Sequence, residues 1–339
     1  FKDLELEIIG QFDNLDKALD GWLIKSENYQ ALNTILPKFK EKVQTIYIDP
    51  PFNLDSSDQF MYRTNYKDAN WATLLENRLR LAKNWLNERG SIFVRCDYNG
   101  NWIVRPIMDD IFGKENFKNE IIINRTKAKQ TIENQFVQKT ESLFFYTKTN
   151  NSIFNVVERK IEPKWYSLLH FPREDQKPRI ILGKNFYPPK GRRWALSQER
   201  INKLVENGKI RINKNLSYID CLGNKINGIP ELLYDSEIVG NEWLDIPGYS
   251  QIQHFPTENS EVLLKRVIES TSKQGDIVLD FFLGSGTTTA VAHKLGRKWI
   301  GVEMGEHFYD VILPRMKKVL AYDKSGISKE VKEYQGGGF

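Results

Sequence analysis

The sequence is short of the residues that build disulfide frameworks and metal sites. Its 339 residues include two cysteines, Cys96 and Cys221, and four histidines scattered along the chain. Two distant cysteines cannot form a disulfide framework, and neither they nor the histidines have the close spacing of zinc ligands. The sequence therefore predicts a protein without a metal site.

Long apolar runs are also missing, and the first residues given do not have the pattern of a secretory signal. No run of eighteen apolar residues occurs, so no membrane span is expected. Residues 1–10 are charged and amphipathic, unlike a signal peptide. With 40% hydrophobic residues, the chain can bury one large core and a smaller module. We therefore expect a cytoplasmic protein with no membrane partner.

Positive charge is concentrated in one stretch of the chain. Between positions 118 and 215 there are 21 lysines and arginines against 9 aspartates and glutamates, whereas the whole chain has a net charge of only +5. Contact with a polyanion through one face explains this asymmetry. A solvated, lysine-rich surface explains it equally well, so charge alone leaves both readings open.

Strand and helix patterns alternate at both ends of the chain. β-branched and aromatic runs predict buried strands, and apolar residues at three- and four-residue steps predict helices. Two strand patterns, 120–124 and 142–147, have no helix between them, so we expect an antiparallel pair closing an otherwise parallel sheet. The other predicted strands are 22–25, 43–48, 91–94, 276–281 and 298–303, and the predicted helices are 29–39, 71–86, 101–112, 260–272, 287–295 and 307–320.

A stretch of different composition separates these two parts. From about residue 150 to 245 proline and glycine are frequent and the periodicity weakens, which indicates an inserted module of irregular or short-strand structure. We therefore expect a core in two parts, 1–149 and 250–325, interrupted by an inserted domain, 150–249. Residues 326–339 are polar and end in glycines, which predicts a flexible tail.

The first motif with chemical potential is Asp49-Pro50-Pro51-Phe52-Asn53, directly after the predicted strand 43–48. Ligands of open α/β sheets bind beyond the carboxyl ends of the strands. Two prolines stiffen the loop and hold a carboxylate, a backbone carbonyl and an aromatic ring in a fixed relation. The motif is a candidate catalytic loop, and a strand-ending turn is the plainer alternative.

The second motif, residues 278–289, leads from a strand through a glycine turn into a helix. It is not a Walker loop, because no Gly-Lys-Ser/Thr follows, and Thr289 stands where a dinucleotide fingerprint has its third glycine. The missing phosphate machinery indicates a nucleoside without a phosphate as the ligand. Glu303 ends the next predicted strand, where a carboxylate accepts hydrogen bonds from ribose hydroxyls.

Together, the two motifs resemble those of the DNA amino-methyltransferases. Asp49-Pro50-Pro51-Phe52 is similar to their D-P-P-Y catalytic motif, with Phe in place of Tyr, and residues 280–288 are similar to their D-x-F-x-G-S-G-T-T cofactor motif. The order of catalytic motif, basic insertion and cofactor motif is that of the β group, which includes the modification subunits of type III restriction-modification systems. The resemblance extends over roughly 21–319, apart from most of the insertion's interior.

This resemblance implies an α/β, Rossmann-like methyltransferase fold that is circularly permuted. It implies a mostly parallel seven-stranded sheet containing one antiparallel strand, with an inserted target-recognition domain, and S-adenosylmethionine as the cofactor. Asn28 stands where the family often has an acidic residue, which leaves a cofactor role for Asn28 open. The residues that the resemblance assigns to cofactor binding are Asp280, Phe281, Phe282, Gly284, Ser285, Gly286, Thr287 and Glu303.

The resemblance also implies a mechanism for the first motif. The Asp49 carboxylate and the Pro50 carbonyl accept the two hydrogens of an exocyclic amino group, and Phe52 stacks on a base flipped out of duplex DNA. The family's cytosine-N4 enzymes more often have Ser before the two prolines, so Asp49 favours N6 of adenine. Cytosine-N4 methylation is the alternative within the same geometry.

The cysteine positions, the basic insertion and the intact motifs bear on other possible functions. Cytosine-C5 methylation needs a cysteine after a proline, but Cys96 follows Arg95 and Cys221 follows Asp220, which disfavours it. An RNA amino-methyltransferase and a non-catalytic DNA-recognition subunit stay open, although the basic insertion favours double-stranded DNA and the intact motifs favour an enzyme. By family analogy, a homodimer and a separate restriction subunit are further partner hypotheses.

Candidate DNA contacts are placed by charge and by position. The polar loop between the paired strands is a plausible flap ordered by DNA. The Gly-Arg-Arg-Trp turn at 191–194 either clamps a phosphate and stacks on bases or forms a solvated turn. The candidate contacts are Asn53, Arg125, Lys127, Arg192, Arg193 and Trp194.

Overall fold

A computed structural model of the chain describes residues 2–51, 67–125, 136–171, 177–250, 255, 257–334 and 336–338. Within these ranges the chain divides into two compact units, residues 1–157 with 240–339, and residues 158–239. No helix in the described ranges is long and apolar enough to cross a membrane.

Helices and strands alternate through most of the first unit, whereas strands dominate the second. The helices are α1 (Lys2–Ile9), α2 (Leu15–Ala18), α3 (Asn28–Phe39), α4 (Asp68–Trp85), α5 (Asn101–Phe112), α6 (Gln198–Glu206), α7 (Glu261–Thr271), α8 (Thr287–Lys294) and α9 (Leu313–Leu320), with 3-10 turns at Lys114–Asn116 and Gly326–Lys329 and a π turn at Phe308–Ile312. The strands are β1 (Gly21–Lys25), β2 (Val43–Ile48), β3 (Leu86–Cys96), β4 (Phe117–Asn124), β5 (Thr140–Thr147), β6 (Glu158–Ser167), β7 (Leu169–His170), β8 (Arg179–Ile181), β9 (Lys184–Phe186), β10 (Arg193–Trp194), β11 (Ile210–Ile219), β12 (Lys225–Ile238), β13 (Glu242–Pro247), β14 (Ile277–Asp280) and β15 (Lys298–Glu303).

The main sheet lies in the first unit and has the order β1-β15-β14-β2-β3-β5-β4-β13. Its pairs are parallel except those made by β5, which runs antiparallel to β3 and to β4. The predicted α/β class, with a mostly parallel sheet and one antiparallel strand, is therefore confirmed. Every residue of the central β2 is buried, as expected for a strand with both faces covered.

The strand count differs from the expectation of seven, because the described part of the sheet contains eight. The additional strand is β13, which pairs in parallel with β4 at the edge. The sequence interpretation assigned these residues to the insertion, a stretch in which proline and glycine are frequent and the periodicity is weak. An edge strand tolerates Pro247, because no further strand of the described sheet pairs with its outer side and would need the missing N–H.

The helices that cover this sheet are amphipathic. In α4 the side chains of Trp71, Leu75, Leu79 and Ala82 recur at three- and four-residue steps and are fully buried. Helices α3, α4 and α5 pack side by side, and α7, α8 and α9 form a second such group. These two groups bury the hydrophobic faces of the strands that carry the motifs.

The second unit has its own small core and more regular structure than the sequence indicated. Strands β6, β12 and β11 form an antiparallel sheet, and α6 begins after Ser197, whose side chain accepts a hydrogen bond from the amide of Arg200. The prediction of irregular or short-strand structure missed both this helix and the 14-residue β12. The core residues of the unit are Leu168, Ile181, Phe186, Trp194, Ile201 and Ile210.

The prediction of a flexible tail is wrong for residues 326–334. Ile327 is 1% exposed and Tyr334 is 5% exposed. The Tyr334 hydroxyl donates a hydrogen bond to the carbonyl of Val319. A mostly polar segment is thus fixed by two apolar anchors, which the count of polar residues concealed.

Candidate active site

The two motifs found in the sequence follow adjacent strands. Asp49 comes directly after β2 and Asp280 ends β14, and these two strands pair in parallel. The carboxyl ends of parallel neighbours lie at the same edge of a sheet, where α/β proteins bind ligands. The expectation that these chain-distant motifs meet at one edge is confirmed.

A pocket with a volume of ≈ 340 Å³ opens at this edge. Asp49 and Pro51 of the first motif line it together with Phe281, Phe282 and Gly284 of the second. This volume lies within the range of small-molecule sites, and the mixture of apolar walls with a few polar groups is typical of them. The pocket therefore brings the predicted catalytic and cofactor residues into one site.

The carboxylate of Asp49 has one oxygen satisfied by the protein and one left over. Oδ2 accepts a hydrogen bond of 3.0 Å from Nδ2 of Asn259 and lies 3.8 Å from a guanidinium nitrogen of Arg95. Oδ1 is buried and has no hydrogen-bond partner in the described structure. Burial raises the pKa of Asp49 to about 6; Arg95 opposes this rise, and Glu141 adds to it.

The loop that follows Asp49 is tied to helix α4. The indole nitrogen of Trp71 donates a hydrogen bond of 2.8 Å to the carbonyl of Pro51, and Pro50 is buried. Phe52 and Asn53 lie outside the described residues, so their predicted roles stay predictions. The tie to Trp71 fixes where the loop leaves the sheet.

A buried ion pair, between Arg95 and Glu141, lies next to Asp49. The guanidinium of Arg95, on β3, donates to Glu141 on β5 at 2.7 Å and to the carbonyl of Gly248 at 3.0 Å. It also lies 4.1 Å from the ring centre of Tyr249. The sequence analysis missed this ion pair, although an arginine within the apolar run Ile92–Cys96 was a usable signal, because buried charges are paired.

Asp280 shapes the glycine turn rather than the pocket wall. It is 2% exposed, its Oδ1 accepts the amide of Phe282 at 2.9 Å, and its Oδ2 accepts the hydroxyl of Thr288 at 2.6 Å. Burial raises the pKa of Asp280 to about 7. The direct cofactor contact that the resemblance assigned to Asp280 is therefore corrected: both its oxygens are directed into the turn.

This geometry predicts different outcomes for two substitutions of Asp280. Asp280→Ala leaves two buried donors without acceptors, so we expect the free energy of unfolding to fall by roughly 2–4 kcal/mol. Asp280→Asn keeps an oxygen for the Phe282 amide and removes a buried charge, so its loss should be below about 1 kcal/mol at pH 8. Urea unfolding of both variants measures the difference, and equal losses would contradict the role assigned to the two hydrogen bonds.

Glu303, at the end of β15, is held by backbone amides. Its carboxylate accepts hydrogen bonds from Gly284 at 2.9 Å and from Gly305 at 2.8 Å. Burial favours the neutral acid, but the ring of His307 and these amides outweigh it and lower the pKa of Glu303. The carboxylate is thus ionised and fixed at the pocket, as a ribose acceptor requires.

The ring of His307 is a pocket residue that the sequence analysis missed. Its Nε2 is buried without a hydrogen-bond partner among the described residues and lies 3.6 Å from Glu303 Oε2, beyond hydrogen-bond distance. The ring contacts that of Phe255, with 4.8 Å between centres. A buried polar atom facing a pocket without a partner is a feature that a bound ligand explains.

Part of the pocket lining comes from the start of α3. The side chain of Asn28 donates to the carbonyl of Phe281 at 2.8 Å and accepts from Arg78. Arg78 also forms an ion pair with Glu27, which lines the pocket. Asn28 therefore supports the second motif, and the acidic group at this place is its neighbour Glu27.

The rest of the second motif is anchored to α9. Gly286 has a φ of 82°, which suits glycine, and the chain then enters α8. The hydroxyl of Thr287 accepts a hydrogen bond of 3.0 Å from Arg315, which also donates to Glu258 at 2.8 Å. Ser285 lines the pocket, whereas Gly286 and Thr287 are not among its described lining residues, so a cofactor contact of these two residues stays a prediction.

Two of the predicted DNA contacts are described as exposed or partly exposed. Arg125 lies at the end of β4, 3.4 Å from Glu141, with 28% of its side chain exposed. Arg192, in the second unit, is exposed and lies 4.7 Å from the ring centre of Phe171. Lys127 lies outside the described residues. Contact of these residues with DNA stays a prediction.

The prediction that Trp194 stacks on bases is wrong. Trp194 is 2% exposed, and its indole nitrogen donates to the carbonyl of Phe186 at 3.0 Å. Its neighbour Arg193 is half-buried. The tryptophan belongs to the core of the second unit, because burying its large apolar surface stabilises the fold.

Comparison with known proteins identifies the family. The family model for DNA methylases matches residues 43–314. The chain is 31% identical to the probable type III restriction-modification enzyme HindVI Mod subunit of Haemophilus influenzae, over 94% of this chain and 53% of that protein. The chain thus spans about half the length of this relative.

Solved structures agree on the fold. The PvuII cytosine-N4-specific DNA methyltransferase superposes with a TM-score of 0.53 at 14% identity, covering 93% of this chain and 90% of that one. The complex of M1.HpyAVI with SAM superposes with a TM-score of 0.50 at 17% identity, covering 87% and 98%. The Rossmann-like methyltransferase fold is therefore confirmed. With both motifs in one pocket and the family model spanning 43–314, the chain belongs to the DNA methylase family.

Proposed function

We propose that this chain transfers a methyl group from S-adenosylmethionine to N6 of a flipped adenine in double-stranded DNA. One observation carries the proposal: Asp49 and the glycine turn of the cofactor motif line the same pocket. Group transfer needs the acceptor and the donor held in one site. The fold does not decide between the two target bases, because the cytosine-N4-specific PvuII methyltransferase has the same fold. The choice of adenine is favoured by the aspartate that precedes the two prolines.

The pocket suits a positively charged nucleoside. Among its described lining residues, the carboxylates of Glu27, Asp49 and Glu303 outnumber the guanidinium of Arg78. Glu303 with its fixed carboxylate and His307, whose Nε2 has no hydrogen-bond partner among the described residues, offer polar contacts, and phenylalanine side chains offer apolar ones. When bound, S-adenosylmethionine supplies a methyl group on a sulfonium that needs no activation.

The protein's own contribution is to orient and polarise the amino group. Oδ1 of Asp49, which has no donor among the described residues, accepts a hydrogen bond from one amino hydrogen, and the Pro50 carbonyl accepts a hydrogen bond from the other. Withdrawing both hydrogens from the plane of the base returns electron density to a nitrogen that ring conjugation otherwise makes a poor nucleophile. As the nitrogen forms its bond to the methyl carbon, the bond between that carbon and sulfur breaks, and the nitrogen then releases one proton to solvent. Phe52 stacks on the base, which must leave the duplex to enter a concave site.

DNA recognition is assigned to the insertion. We place the target-recognition domain in the second unit, 158–239, which lies within the insertion predicted at 150–249, because β13 belongs to the main sheet. In this proposal Arg192 and Arg193 contact phosphates, and Arg125, Lys127 and Asn53 lie near the flipped base. The name of the Haemophilus relative supports the proposal that the chain belongs to a restriction-modification system and has a separate restriction subunit. A homodimer and a cytoplasmic location are further proposals, the first by family analogy.

The test is to incubate the purified protein with duplex DNA and tritiated-methyl cofactor and to separate the digested nucleosides. We expect the label in N6-methyladenine. Label in N4-methylcytosine would assign the reaction to the alternative base. Cofactor binding without any transfer would point to a non-catalytic recognition subunit, and faster transfer to single-stranded RNA would replace DNA as the substrate.

A further inference from the structure

We propose that Asn259 is a positioning residue that orients the Asp49 carboxylate, so that one of its oxygens keeps no donor from the protein and is left for the target amino group. The proposal rests on the proposed function, in which Asp49 accepts a hydrogen of the target amino group. It adds a residue from a separate part of the chain, 210 positions away, to the machinery of the reaction.

The two oxygens of the Asp49 carboxylate have different hydrogen-bond partners. Asn259 donates from Nδ2 to Oδ2 of Asp49 at 3.0 Å, while Oδ1 is buried without a partner in the part of the chain that the structure describes. Both residues line the pocket. The protein therefore satisfies one oxygen of the pocket residue Asp49 with a hydrogen bond and leaves the other, buried oxygen without a donor.

The amide of Asn259 cannot turn over, because its oxygen is also engaged. Oδ1 of Asn259 accepts from the hydroxyl of Tyr47 at 3.0 Å and from the guanidinium of Arg95. An inverted amide would set its NH₂ group against these two donors and leave Asp49 without one. Arg95 is itself fixed by Glu141, so the orientation of the amide is determined by side chains on two strands.

A neutral donor has an advantage over a direct arginine contact at this place. A guanidinium forms bidentate pairs with a carboxylate, and such a pair would occupy both oxygens of Asp49. Here Arg95 stands 3.8 Å away and shares its charge with Glu141. Asn259 thus holds the carboxylate in place while leaving Oδ1 free to accept a hydrogen from the base.

The same contact stabilises the charged form of Asp49. Burial raises the pKa of Asp49 to about 6, and the hydrogen bond from Asn259 works against that rise. Removing the bond should therefore raise the pKa of Asp49 further. The other titratable and charged groups around this carboxylate are Tyr47, Arg95, Cys96, Asp97, Glu141, Tyr249 and Asp280.

The test replaces Asn259 by leucine, which has a similar size and no hydrogen bonds. The matched control is Asn116→Leu: this asparagine is also buried, and its side chain donates to the carbonyl of Phe112, outside the pocket. The titration of Asp49 is followed by carboxyl ¹³C NMR on aspartate-labelled protein, with the signal assigned by its loss in Asp49→Asn. This measurement needs neither cofactor nor DNA.

In Asn259→Leu we expect the titration midpoint of Asp49 to rise by about one pH unit. The turnover number should fall roughly 10- to 100-fold, with the dissociation constant of the cofactor within about two-fold of wild type. Asn116→Leu should lower the melting temperature without moving the midpoint or the turnover number.

An unchanged midpoint together with wild-type turnover in Asn259→Leu would overturn the proposal. So would a loss that Asn116→Leu reproduces in every readout, since that would mean a structural role alone. If wild-type protein methylates no DNA while the midpoint still rises in Asn259→Leu, the contact is upheld and the proposed function is what fails.

Discussion

Replacing Asp49 with asparagine should lower the rate of methyl transfer at least about 10³-fold while leaving cofactor binding within about two-fold. The substituted side chain can keep its oxygen on the Asn259 amide, which places its own NH₂ group where Oδ1 now lies. Two donors then face each other where an acceptor is required. Single-turnover transfer of a tritiated methyl group and calorimetric binding separate the two effects.

The matched control is Asp97→Asn. Asp97 is a buried carboxylate just after the neighbouring strand β3, but it accepts hydrogen bonds from Asn99 and does not line the pocket. We expect its transfer rate to stay within about five-fold of wild type. Retention of wild-type turnover by Asp49→Asn would rule out Asp49 as the acceptor.

The raised pKa of Asp49 predicts how both activity and stability change with pH. Because the group must be ionised to accept a hydrogen, kcat/KM should fall as the pH drops through about 6. In stability the sign is opposite: a carboxylate with a raised folded-state pKa destabilises the fold increasingly from pH 3.8 to about 6, and by a constant amount above it. Asp49→Asn should therefore be more stable than wild type above pH 6, by at most about 3 kcal/mol.

The sequence was sufficient to place Asp49 and Glu303 because each follows from a local rule. Both stand at the end of an apolar strand, and in a parallel sheet such ends converge at one edge. Asn259 follows no such rule. It lies in the segment before α7, and its contact with Asp49 depends on how that segment crosses the sheet edge.

The errors in the second unit have a related cause. Trp194 stands among arginines, and the charge of its neighbours concealed that its indole is buried against Phe186. Ser197 followed by Ile201, Leu204 and Val205 had the cap and the spacing of a helix, but the charged residues between them obscured the pattern. Local composition indicates where charge lies along the chain, and burial is decided by partners distant in sequence.

Substituting Arg95 should have the largest effect on stability. Arg95→Met removes a fully buried cation and leaves Glu141, whose side chain is 0% exposed, without its nearest counter-charge. Breaking a buried pair in this way costs about 3–5 kcal/mol, so we expect a loss of that size in the free energy of unfolding. Chemical denaturation at pH 7.5 measures it, and the transfer rate should fall with it because the Asn259 amide loses one of its two donors.

A second substitution distinguishes two causes of that loss, the unpaired charge of Glu141 and the lost packing of the arginine. If the unpaired charge of Glu141 is responsible, Arg95→Met combined with Glu141→Gln should be more stable than Arg95→Met alone, by about 1–3 kcal/mol. Arg80→Met is the control for deleting an arginine, because Arg80 is 53% exposed and its ion pair with Asp110 lies on the surface. We expect Arg80→Met to cost less than about 1 kcal/mol. If the double variant is less stable than Arg95→Met, the stabilisation comes from the stacking of the guanidinium on Tyr249 and from packing, and not from its pairing with Glu141.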